Sequence, residues 1–322
     1  MRRSLTEEAL TTENTPRQPL ESDYLLGVRD DLRQGALRYR CPHDSDGSWR
    51  ASPTDGIPRL TELGTLLALA DKVVANDADL NELRLLVGAG SSLGGARPKA
   101  HVLLPDDRVG IAKFPATMHD EWNVMAWEKV ALDLAAAAGI TVPPNRLVPV
   151  TGKDVLIVER FDRRGDTRTP YISAMTLLEA TDGDRATYLD IAEAVEEVSP
   201  HAVADLQSLW RRCIFDILIN NTDNHLRNHG FLRDTAGWTL SPAFDLNPTP
   251  FSTPFATDIA DPGDGGSIDA ALAVADYFRL RPDDARDTLG HVRHTVAEWD
   301  RTAAAHGITP GERRRMSTAF TR

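Results

Sequence analysis

The chain has 322 residues, of which 41% are hydrophobic and 26% are charged. This is enough sequence and apolar content for one or two folded domains, and it excludes a largely disordered protein. Asp and Glu outnumber Lys and Arg by 48 to 36, which gives a formal net charge of −12. The acidic excess argues against general electrostatic binding to nucleic acid or to an anionic membrane.

The cysteine and apolar patterns predict a soluble, cytoplasmic protein. Cys41 and Cys213 lie far apart and form no ligand-spaced cluster, which favours two packed thiols in a reducing compartment over a disulfide. No apolar run approaches the ~20 residues of a membrane span, and the N-terminus has no apolar stretch of the secretory kind. Residues 1–20 are polar and contain proline, so we expect a flexible tail.

Residues 21–75 are expected to form a small leading module. Residues 23–40 combine a short apolar segment with a predicted strand, and residues 40–51 have the turn-rich composition of a hairpin. Residues 60–75 are apolar at helical spacing. The polar residues 76–90 then predict a second helix that runs into glycines.

Residues 76–165 predict a small sheet with one helix. A glycine-rich loop at 88–100 precedes two strands joined by an acidic turn at 105–107. A helix is predicted from about residue 121 to residue 138, where Gly139 and a proline pair end it. Residues 146–162 predict a hairpin whose second strand, 155–158, is continuously apolar and therefore central in the sheet.

From residue 166 onward the pattern changes to long helices, predicted at 187–199, at 203–219 and in a tail from residue 268 to the end. Four tryptophans on amphipathic helices are most simply core residues: Trp122, Trp127, Trp210 and Trp299. Between the helices lies a non-helical polar insert, residues 221–250. The sequence therefore predicts an α+β architecture of two lobes, with the insert where the lobes meet.

The polar insert contains the most informative spacing. Asp223 and Asn228 stand in NTDNHLRN as Asp-x4-Asn, which a kinase catalytic loop uses for the base and for a metal-binding amide. A predicted hairpin then leads to Asp245, a carboxylate suited to complete a Mg²⁺ site with Asn228. The alternative is a polar turn with Asx-type backbone bonds and a helix cap at Asp245.

A second group of candidate residues lies in the predicted small lobe. Lys113 ends the strand VGIAKF and Glu128 lies on the following helix, so the two can act as a phosphate-positioning lysine and its partner. The alternative is a solvated lysine and an exposed glutamate. The loop GAGSSLGGARPKA fits neither a Walker A nor a dinucleotide motif. Its backbone N–H groups, with Arg97 and Lys99, suit an anion, and the alternative is a connecting turn.

His225 and His229 have the i, i+4 spacing of a zinc pair on a helix. No HExxH accompanies them and the segment lacks a helical pattern, so histidines that brace the loop by hydrogen bonds are the preferred interpretation. A metal-dependent hydrolase that uses both histidines and Asp223 is an alternative function, which tightly bound zinc would support.

Taken together, these stretches resemble the HipA-like toxin kinases of bacterial toxin–antitoxin systems. The matching stretches, in family order, are SSLGGARPKA, IAKFP, WEKVALDLAAAAGITVP, VERFDR, NTDNHLRNHGFL and LSPAFDLNP. They spread over about residues 85–250, and ADYFRL and VAEW in the tail are also similar. The set is specific as a whole because all of its members occur in one order.

The resemblance implies an ATP- and Mg²⁺-dependent serine/threonine kinase with a two-lobed, protein-kinase-like α+β fold, a small mixed N-terminal lobe and a mostly helical C-terminal lobe. By matching positions, Asp223 is the catalytic base, and Asn228 and Asp245 are the metal ligands. Lys113, with Glu128 as its partner, is implied to bind the ATP phosphates, and Arg227 to neutralise charge on the transferred phosphate. The backbone at Glu159 and Phe161 is implied to contact adenine. Gly94, Gly95 and Ser92 are implied to lie in a Gly-rich ATP cover in which Ser92, with Ser91 as its neighbour, is autophosphorylated.

The resemblance also implies an organisation and partners. Residues 21–75 correspond to a shortened N-terminal module, 76–165 to the N-lobe and 166–322 to the C-lobe. The expected partners are a protein with a Ser/Thr acceptor, such as an aminoacyl-tRNA synthetase, and a HipB-like helix-turn-helix antitoxin, which alone would contact DNA; no membrane is expected. The alternative function is a weakly active or inactive kinase-fold binding partner of that antitoxin.

Overall fold

The computed structural model describes residues 20–43, 47–51, 56–79, 81–82, 85, 97–116 and 120–321. The chain divides into two compact units. The first comprises Met1–Glu121 and Asn145–Arg168, and the second comprises Trp122–Pro144 and Thr169–Arg322. Each unit therefore takes its residues from two separate stretches of the sequence.

The first unit contains an antiparallel four-stranded sheet in the order β1-β2-β4-β3, formed by β1 (Lys99–Leu103), β2 (Val109–Lys113), β3 (Asn145–Val150) and β4 (Lys153–Glu159). Strand β4 lies inside the sheet and its residues 155–158 are buried, which confirms the predicted central strand. The two-residue loop between β3 and β4 has positive φ at Thr151 (46°) and Gly152 (82°). Such a turn matches the twist of a hairpin.

One amphipathic helix covers this sheet. A 3₁₀ turn (Leu60–Glu62) leads into α2 (Leu63–Val74), which confirms the helix predicted at 60–75. Its apolar face, including Leu63, Leu66 and Leu67, packs against Val102, Phe114 and other apolar sheet residues in one buried cluster. The helix predicted at 76–90 lies largely outside the described residues.

The leading segment differs from its prediction. It begins with a short helix, α1 (Glu21–Gly27), and no strand occurs in its described residues 28–43 and 47–51, so the strand predicted there is wrong. The hairpin predicted at 40–51 includes residues 44–46, which lie outside the described residues, and the Arg50 N–H donates to the Tyr39 carbonyl at 2.7 Å. Side chains from a later part of the sequence also hold its backbone. The Arg160 guanidinium donates to the carbonyls of Leu32 (2.9 Å) and Arg33 (3.1 Å), and the Asp162 carboxylate accepts from the Gly35 N–H at 2.8 Å.

These bonds belong to a buried ionic cluster just after β4. Arg160 and Asp162 are 5% and 4% exposed and form a bidentate pair with N–O distances of 2.8 and 2.6 Å. Burial alone would raise the pKa of Asp162, but the hydrogen bond and charge of Arg160 outweigh it and lower the pKa. The short strands β5 (Arg163–Arg164) and β6 (Thr167–Arg168) complete the unit. Removing either Arg160 or Asp162 would leave the other charge buried without its partner, which is strongly destabilising.

The second unit is mostly helical. Its helices are α3 (Val124–Ala137), α4 (Ala174–Leu177), α5 (Tyr188–Val198), α6 (Ala202–Leu218), α7 (Ile268–Ala273), α8 (Pro282–Val296), α9 (Trp299–Ala305) and α10 (Pro310–Met316), with 3₁₀ turns at Leu226–Asn228, Ala275–Phe278 and Ser317–Phe320. The helices predicted at about 121–138, at 187–199 and at 203–219 are confirmed within a few residues. Helix α6 is buried along most of its last three turns, so it forms the centre of this unit.

The C-terminal helices pack on α3. Asn123 caps this helix, because its side chain accepts from the Ala126 N–H at 3.1 Å. Trp127 contacts Trp299 and Phe320, with ring centroids 6.2 and 5.8 Å away, and its indole N–H donates to Glu312 at 2.8 Å. The helical tail predicted from residue 268, with Trp299 packed against the buried Trp127, is therefore confirmed.

A three-stranded antiparallel sheet also belongs to the second unit, in the order β7-β8-β9, formed by β7 (Tyr171–Ser173), β8 (Gly230–Arg233) and β9 (Trp238–Leu240). The predicted hairpin after residue 229 is therefore confirmed. Gly230 begins β8 where a Cβ atom would come within 2.5 Å of the Tyr171 ring and 2.7 Å of the Ser241 hydroxyl. Only glycine lets the backbone approach this closely.

Two simpler expectations concern thiols and membrane spans. Cys41 and Cys213 are free thiols, and Cys213 is buried. Among the helices of the described residues, none has both the length and the apolar composition required to cross a bilayer.

Candidate active site

The polar insert begins where α6 ends. Asn220 adopts a left-handed backbone conformation (φ 51°), which asparagine tolerates better than most residues and which stops the helix. Asparagine and threonine side chains also compete with helical backbone bonds, so the run Asn-Asn-Thr-Asp-Asn favours a loop. The loop extends to the 3₁₀ turn Leu226–Asn228 and then enters β8.

The loop is fixed by bonds to a distant part of the chain. The Asn220 amide donates to the carbonyls of Thr249 (2.6 Å) and Phe251 (2.9 Å), and the Asn224 side chain accepts from the Thr257 N–H at 3.1 Å. The main bonds of these asparagines therefore span about thirty residues, unlike those of a local Asx turn. Local bonds of the kind expected for a polar turn are also present, as between the Asn228 N–H and the His225 carbonyl at 2.8 Å.

Asp223 and Asn228 are neighbours in this loop. The Asp223 side chain is 73% exposed, and the Asn228 Nδ2 group donates to the Asp223 carbonyl at 2.9 Å. Because Nδ2 is used in this bond, Oδ1 is the Asn228 atom that can face a cation. The loop therefore presents an exposed carboxylate, whose Oδ1 lies 3.9 Å from His225 Nε2, beside an oriented amide.

Asp245 follows β9 and is tied to the same loop. Its backbone is left-handed (φ 59°) and its Oδ1 accepts from the Asn247 amide at 3.1 Å. The Asn247 N–H in turn donates to the Asn221 side chain at 3.3 Å. The alternative role of Asp245 as a helix cap is wrong, because no helix begins before Ile268 in this stretch of described residues.

The oxygen donors here suit a hard cation. Asn228 contributes an amide oxygen and Asp245 a partly exposed carboxylate, which are the ligand types that Mg²⁺ takes from proteins. Within the described residues there is no group of three or more His, Cys, Asp and Glu side chains that could hold a metal. An amide-plus-carboxylate pair would leave the remaining positions around a cation to water and phosphate.

Two buried residues that hold the loop from neighbouring helices, Tyr188 and Asp216, were not predicted. Asp216 accepts from the Tyr188 hydroxyl (3.0 Å) and the Asn221 amide (2.7 Å), and the Asn224 amide lies 3.3 Å from the same hydroxyl. Burial raises the pKa of Asp216 to about 6, although these two hydrogen bonds and the charge of Arg212 oppose the shift. A signal existed in the sequence: Asp216 is an acidic residue inside the apolar run CIFDILI.

Of the two histidines expected to brace the loop, His225 is partly exposed and lies next to Asp223, and His229 does brace the loop. Its ring lies edge-on to Tyr188 at 5.2 Å, and its Nε2 lies 3.1 Å from the Asn224 carbonyl, an acceptor to which it must donate. Burial, followed by the charge of Arg212, lowers the pKa of His229 to about 4. A neutral histidine whose Nε2 donates to a carbonyl does not offer that atom to zinc.

Acid should therefore destabilise the wild-type protein more than a His229→Gln variant. Because the folded-state pKa is lowered, the unfolded chain takes up a proton near pH 6.5 that the folded protein accepts only near pH 4. The stabilising contribution is full above pH 6.5 and is lost as the pH falls toward 4. Between pH 8 and pH 5, urea titrations should show the wild type losing about 2 kcal/mol more unfolding free energy than the variant. Equal losses would contradict this account.

The other predicted residues are distributed over both units. Lys113 ends β2 in the first unit and Glu128 lies on α3 in the second, and they are 8% and 1% exposed. The alternative of a solvated lysine and an exposed glutamate is therefore wrong. Arg227 follows Asp223 by four residues in the same loop and forms an ion pair with Asp182, whose side chain is 81% exposed. An exposed pair of this kind leaves Arg227 available to exchange partners.

The segment expected to contact adenine lies at the end of β4. The Glu159 side chain pairs with Arg108, and Phe161 is half-buried next to the Arg160–Asp162 pair. Ser91, Ser92, Gly94 and Gly95 lie outside the described residues. Arg97, which the sequence assigned to anion binding, forms an ion pair with Asp120 at 3.0 Å.

The chain combines a unit built on a small antiparallel sheet with a mostly helical unit. The helical unit carries a polar loop and a hairpin that leads to an acidic residue. These features define a kinase-like α+β fold. The model of the family described as "HipA-like C-terminal domain" matches residues 91–299. This match covers more than half of the chain. The chain therefore belongs to the HipA-like C-terminal domain family.

Two curated relatives support this assignment. A protein of Sinorhizobium fredii named "Putative kinase Y4mE" is 29% identical over 186 residues, which cover 49% of this chain and 42% of the relative. A Haemophilus influenzae protein named "Putative kinase" is 23% identical over 164 residues, which cover 44% of this chain and 48% of the relative. The chain thus spans less than half the length of either relative.

A solved structure confirms the fold. The match is to the HipA structure of the Shewanella oneidensis MR-1 toxin–antitoxin system, solved as a complex of HipA, HipB and operator DNA. It has a TM-score of 0.59 at 19% identity, and covers 71% of this chain and 62% of that chain. The α+β, kinase-like architecture predicted from the sequence is therefore confirmed.

Proposed function

We propose that this protein is a Mg²⁺-dependent serine/threonine kinase that transfers the γ-phosphoryl group of ATP to a protein hydroxyl. The observation that carries the proposal is the loop that presents the exposed Asp223 carboxylate beside the Asn228 amide, with the Asp245 segment bonded to the same loop. Membership of the HipA-like family and the names of the curated relatives support it.

In this proposal Asp223 is the general base. Its carboxylate accepts the proton of the acceptor hydroxyl while that oxygen bonds to the γ-phosphorus. The bond between the γ-phosphorus and its bridging oxygen breaks, and ADP leaves with the electron pair. The exposure of Asp223 favours this role because the base must reach a hydroxyl on another protein. Arg227, next to this loop, is proposed to neutralise charge on the transferred group.

Asn228 and Asp245 are proposed to hold the metal. Mg²⁺ held there would offset the negative charge of the ATP phosphates. The loop bonds of Asn228 and Asn247 then keep the two ligands oriented before nucleotide arrives. Such preorganisation lowers the cost of assembling the site during the reaction.

The remaining roles are proposed from the family resemblance. Lys113 would bind the ATP phosphates, with Glu128 as its partner, and the backbone at Glu159 and Phe161 would bind adenine. Gly94 and Gly95 would let the backbone cover the phosphates. Ser92, with Ser91 as its competitor, would be the autophosphorylated residue that switches the kinase off.

The cellular role is proposed from the same resemblance. The protein would act in the cytoplasm as the toxin of a toxin–antitoxin pair and phosphorylate a protein such as an aminoacyl-tRNA synthetase. A HipB-like helix-turn-helix antitoxin would be its partner. Because the protein has a formal net charge of −12, it is expected to contact DNA only through that antitoxin.

Incubation with γ-labelled ATP and Mg²⁺ tests the proposal. We expect Mg²⁺-dependent label on the protein itself, mapped to Ser91 or Ser92 by mass spectrometry. Ser91→Ala and Ser92→Ala variants identify the acceptor. Binding of a HipB-like protein without any ATP-dependent label would instead support an inactive kinase-fold partner. Tightly bound zinc in the purified protein would support a hydrolase.

A further inference from the structure

Helix α6 directs two opposite charges toward the active-site segments. Arg212 and Asp216 lie four residues apart, and therefore on one face of the helix, and are 5% and 3% exposed. Burying charged groups costs free energy, and apolar residues of similar size are often more stabilising. A buried pair of this kind is therefore better explained by what it positions than by the stability that it adds.

The two side chains reach opposite ends of the segment that carries Asp245. The Arg212 guanidinium donates to the carbonyl of Ser241, four residues before Asp245. Asp216 acts through Asn221, whose amide donates to the carboxylate at 2.7 Å. The Asn221 side-chain oxygen then accepts from the N–H of Asn247, two residues after Asp245, at 3.3 Å.

Asp216 also determines which way the Asn221 amide points. The second carboxylate oxygen of Asp216 accepts from the buried Tyr188 hydroxyl at 3.0 Å, so both of its oxygens are engaged. A carboxylate only accepts, so Asn221 must direct its NH₂ group to Asp216 and its oxygen to Asn247. An amide rotated by 180° would place its NH₂ group against the Asn247 N–H and break both bonds.

We propose that Asp216 is a positioning residue that, through Asn221 and together with Arg212, clamps residues 241–247 and holds the Asp245 carboxylate in the orientation needed for the metal. This inference rests on the proposed function. Under this proposal, the metal dependence of the reaction depends partly on the buried helix α6, which touches neither substrate nor metal. Partners of this indirect kind orient metal ligands in other proteins.

Hydrogen exchange of the nucleotide-free protein tests the clamp without reference to activity. In Asn221→Ala, amide protection in peptides covering residues 243–250 should fall about tenfold, because the Asn247 N–H loses its acceptor. Exchanging the pair, Asp216→Asn with Asn221→Asp, reverses the direction of the amide-to-carboxylate bond but leaves residue 221 an oxygen for the Asn247 N–H, so it should restore protection. Unchanged protection in Asn221→Ala would overturn the clamp.

Mg²⁺ titration of ATP turnover tests the effect of the clamp on metal binding. Asn221→Ala should raise the half-saturating Mg²⁺ concentration about tenfold or more. Tyr188→Phe, a milder change that removes one hydrogen bond to Asp216, should raise it about threefold. In the double variant with the exchanged pair, the half-saturating Mg²⁺ concentration should return toward the wild-type value. An unchanged Mg²⁺ requirement in active Asn221→Ala would overturn the positioning role.

Trp210→Phe is the matched control. It removes another buried hydrogen bond of α6, which goes to the Ala271 carbonyl at 2.9 Å and not to residues 241–247. It should lower thermal stability without changing the Mg²⁺ requirement or the exchange of 243–250. If the wild type fails to turn over ATP while Asn221→Ala still loses protection, the proposed function is refuted and the clamp itself is supported.

Discussion

Asp223→Ala is expected to lower phosphoryl transfer by about 10²- to 10⁴-fold, the range that a general base contributes. Affinity for Mg²⁺ and ATP should stay near wild type, because the base is not needed to hold nucleotide. Folding should also be preserved, since the side chain is 73% exposed and its backbone carbonyl, not its carboxylate, anchors Asn228. Initial rates and calorimetric titration with ATP would measure the two effects separately.

Asp283→Ala is a suitable control for the loss of one exposed negative charge. Its side chain is 91% exposed on α8 and its ion partner is Arg286, on the same helix. This variant should have wild-type rates and wild-type nucleotide affinity. If Asp223→Ala retained full transfer, or lost nucleotide binding along with transfer, its assignment as the base would be wrong.

Asp245→Asn should affect metal binding and transfer together. Asparagine tolerates the left-handed backbone at this position (φ 59°) and keeps the side-chain shape, so the variant removes mainly the negative charge. We expect the half-saturating Mg²⁺ concentration to rise about tenfold to a hundredfold or more, because even indirect partners of a metal have effects of that size. Turnover at fixed ATP and increasing Mg²⁺ measures the change.

The Asp223→Ala variant provides the comparison for this experiment. Its residual activity should show a wild-type Mg²⁺ requirement, whereas Asp245→Asn should shift the requirement even where its maximal rate is measurable. A wild-type Mg²⁺ profile in Asp245→Asn would remove Asp245 from the metal site.

The elements that the sequence predicted are those with strong periodicity. The apolar run 155–158 indicated a buried strand, and helices α3, α5 and α6 carry apolar faces of three turns or more. The leading segment was mispredicted because its backbone is held by Arg160 and Asp162. Those partners lie about 130 residues away, and no local pattern signals them.

The candidate site likewise contains some residues that the sequence predicted and others that it did not. The Asp-x4-Asn spacing and the hairpin before Asp245 are local in sequence, and each could be proposed from a motif. The buried residues that fix the loop lie on two helices and are brought together only by packing, as Tyr188 and Asp216 are. Asp216 could have been singled out as a charge in an apolar run, but its partners could not.

The most direct test of the account is a crystal structure with Mn²⁺ and a non-hydrolysable ATP analogue, in which anomalous scattering locates the metal. The account predicts a peak bound by Asn228 Oδ1 and the Asp245 carboxylate, at distances near the 2.0–2.1 Å typical of Mg²⁺. Asp223 should then face the γ-phosphate without binding the metal. A metal peak elsewhere, or Asn228 and Asp245 pointing apart in the presence of nucleotide, would contradict the account.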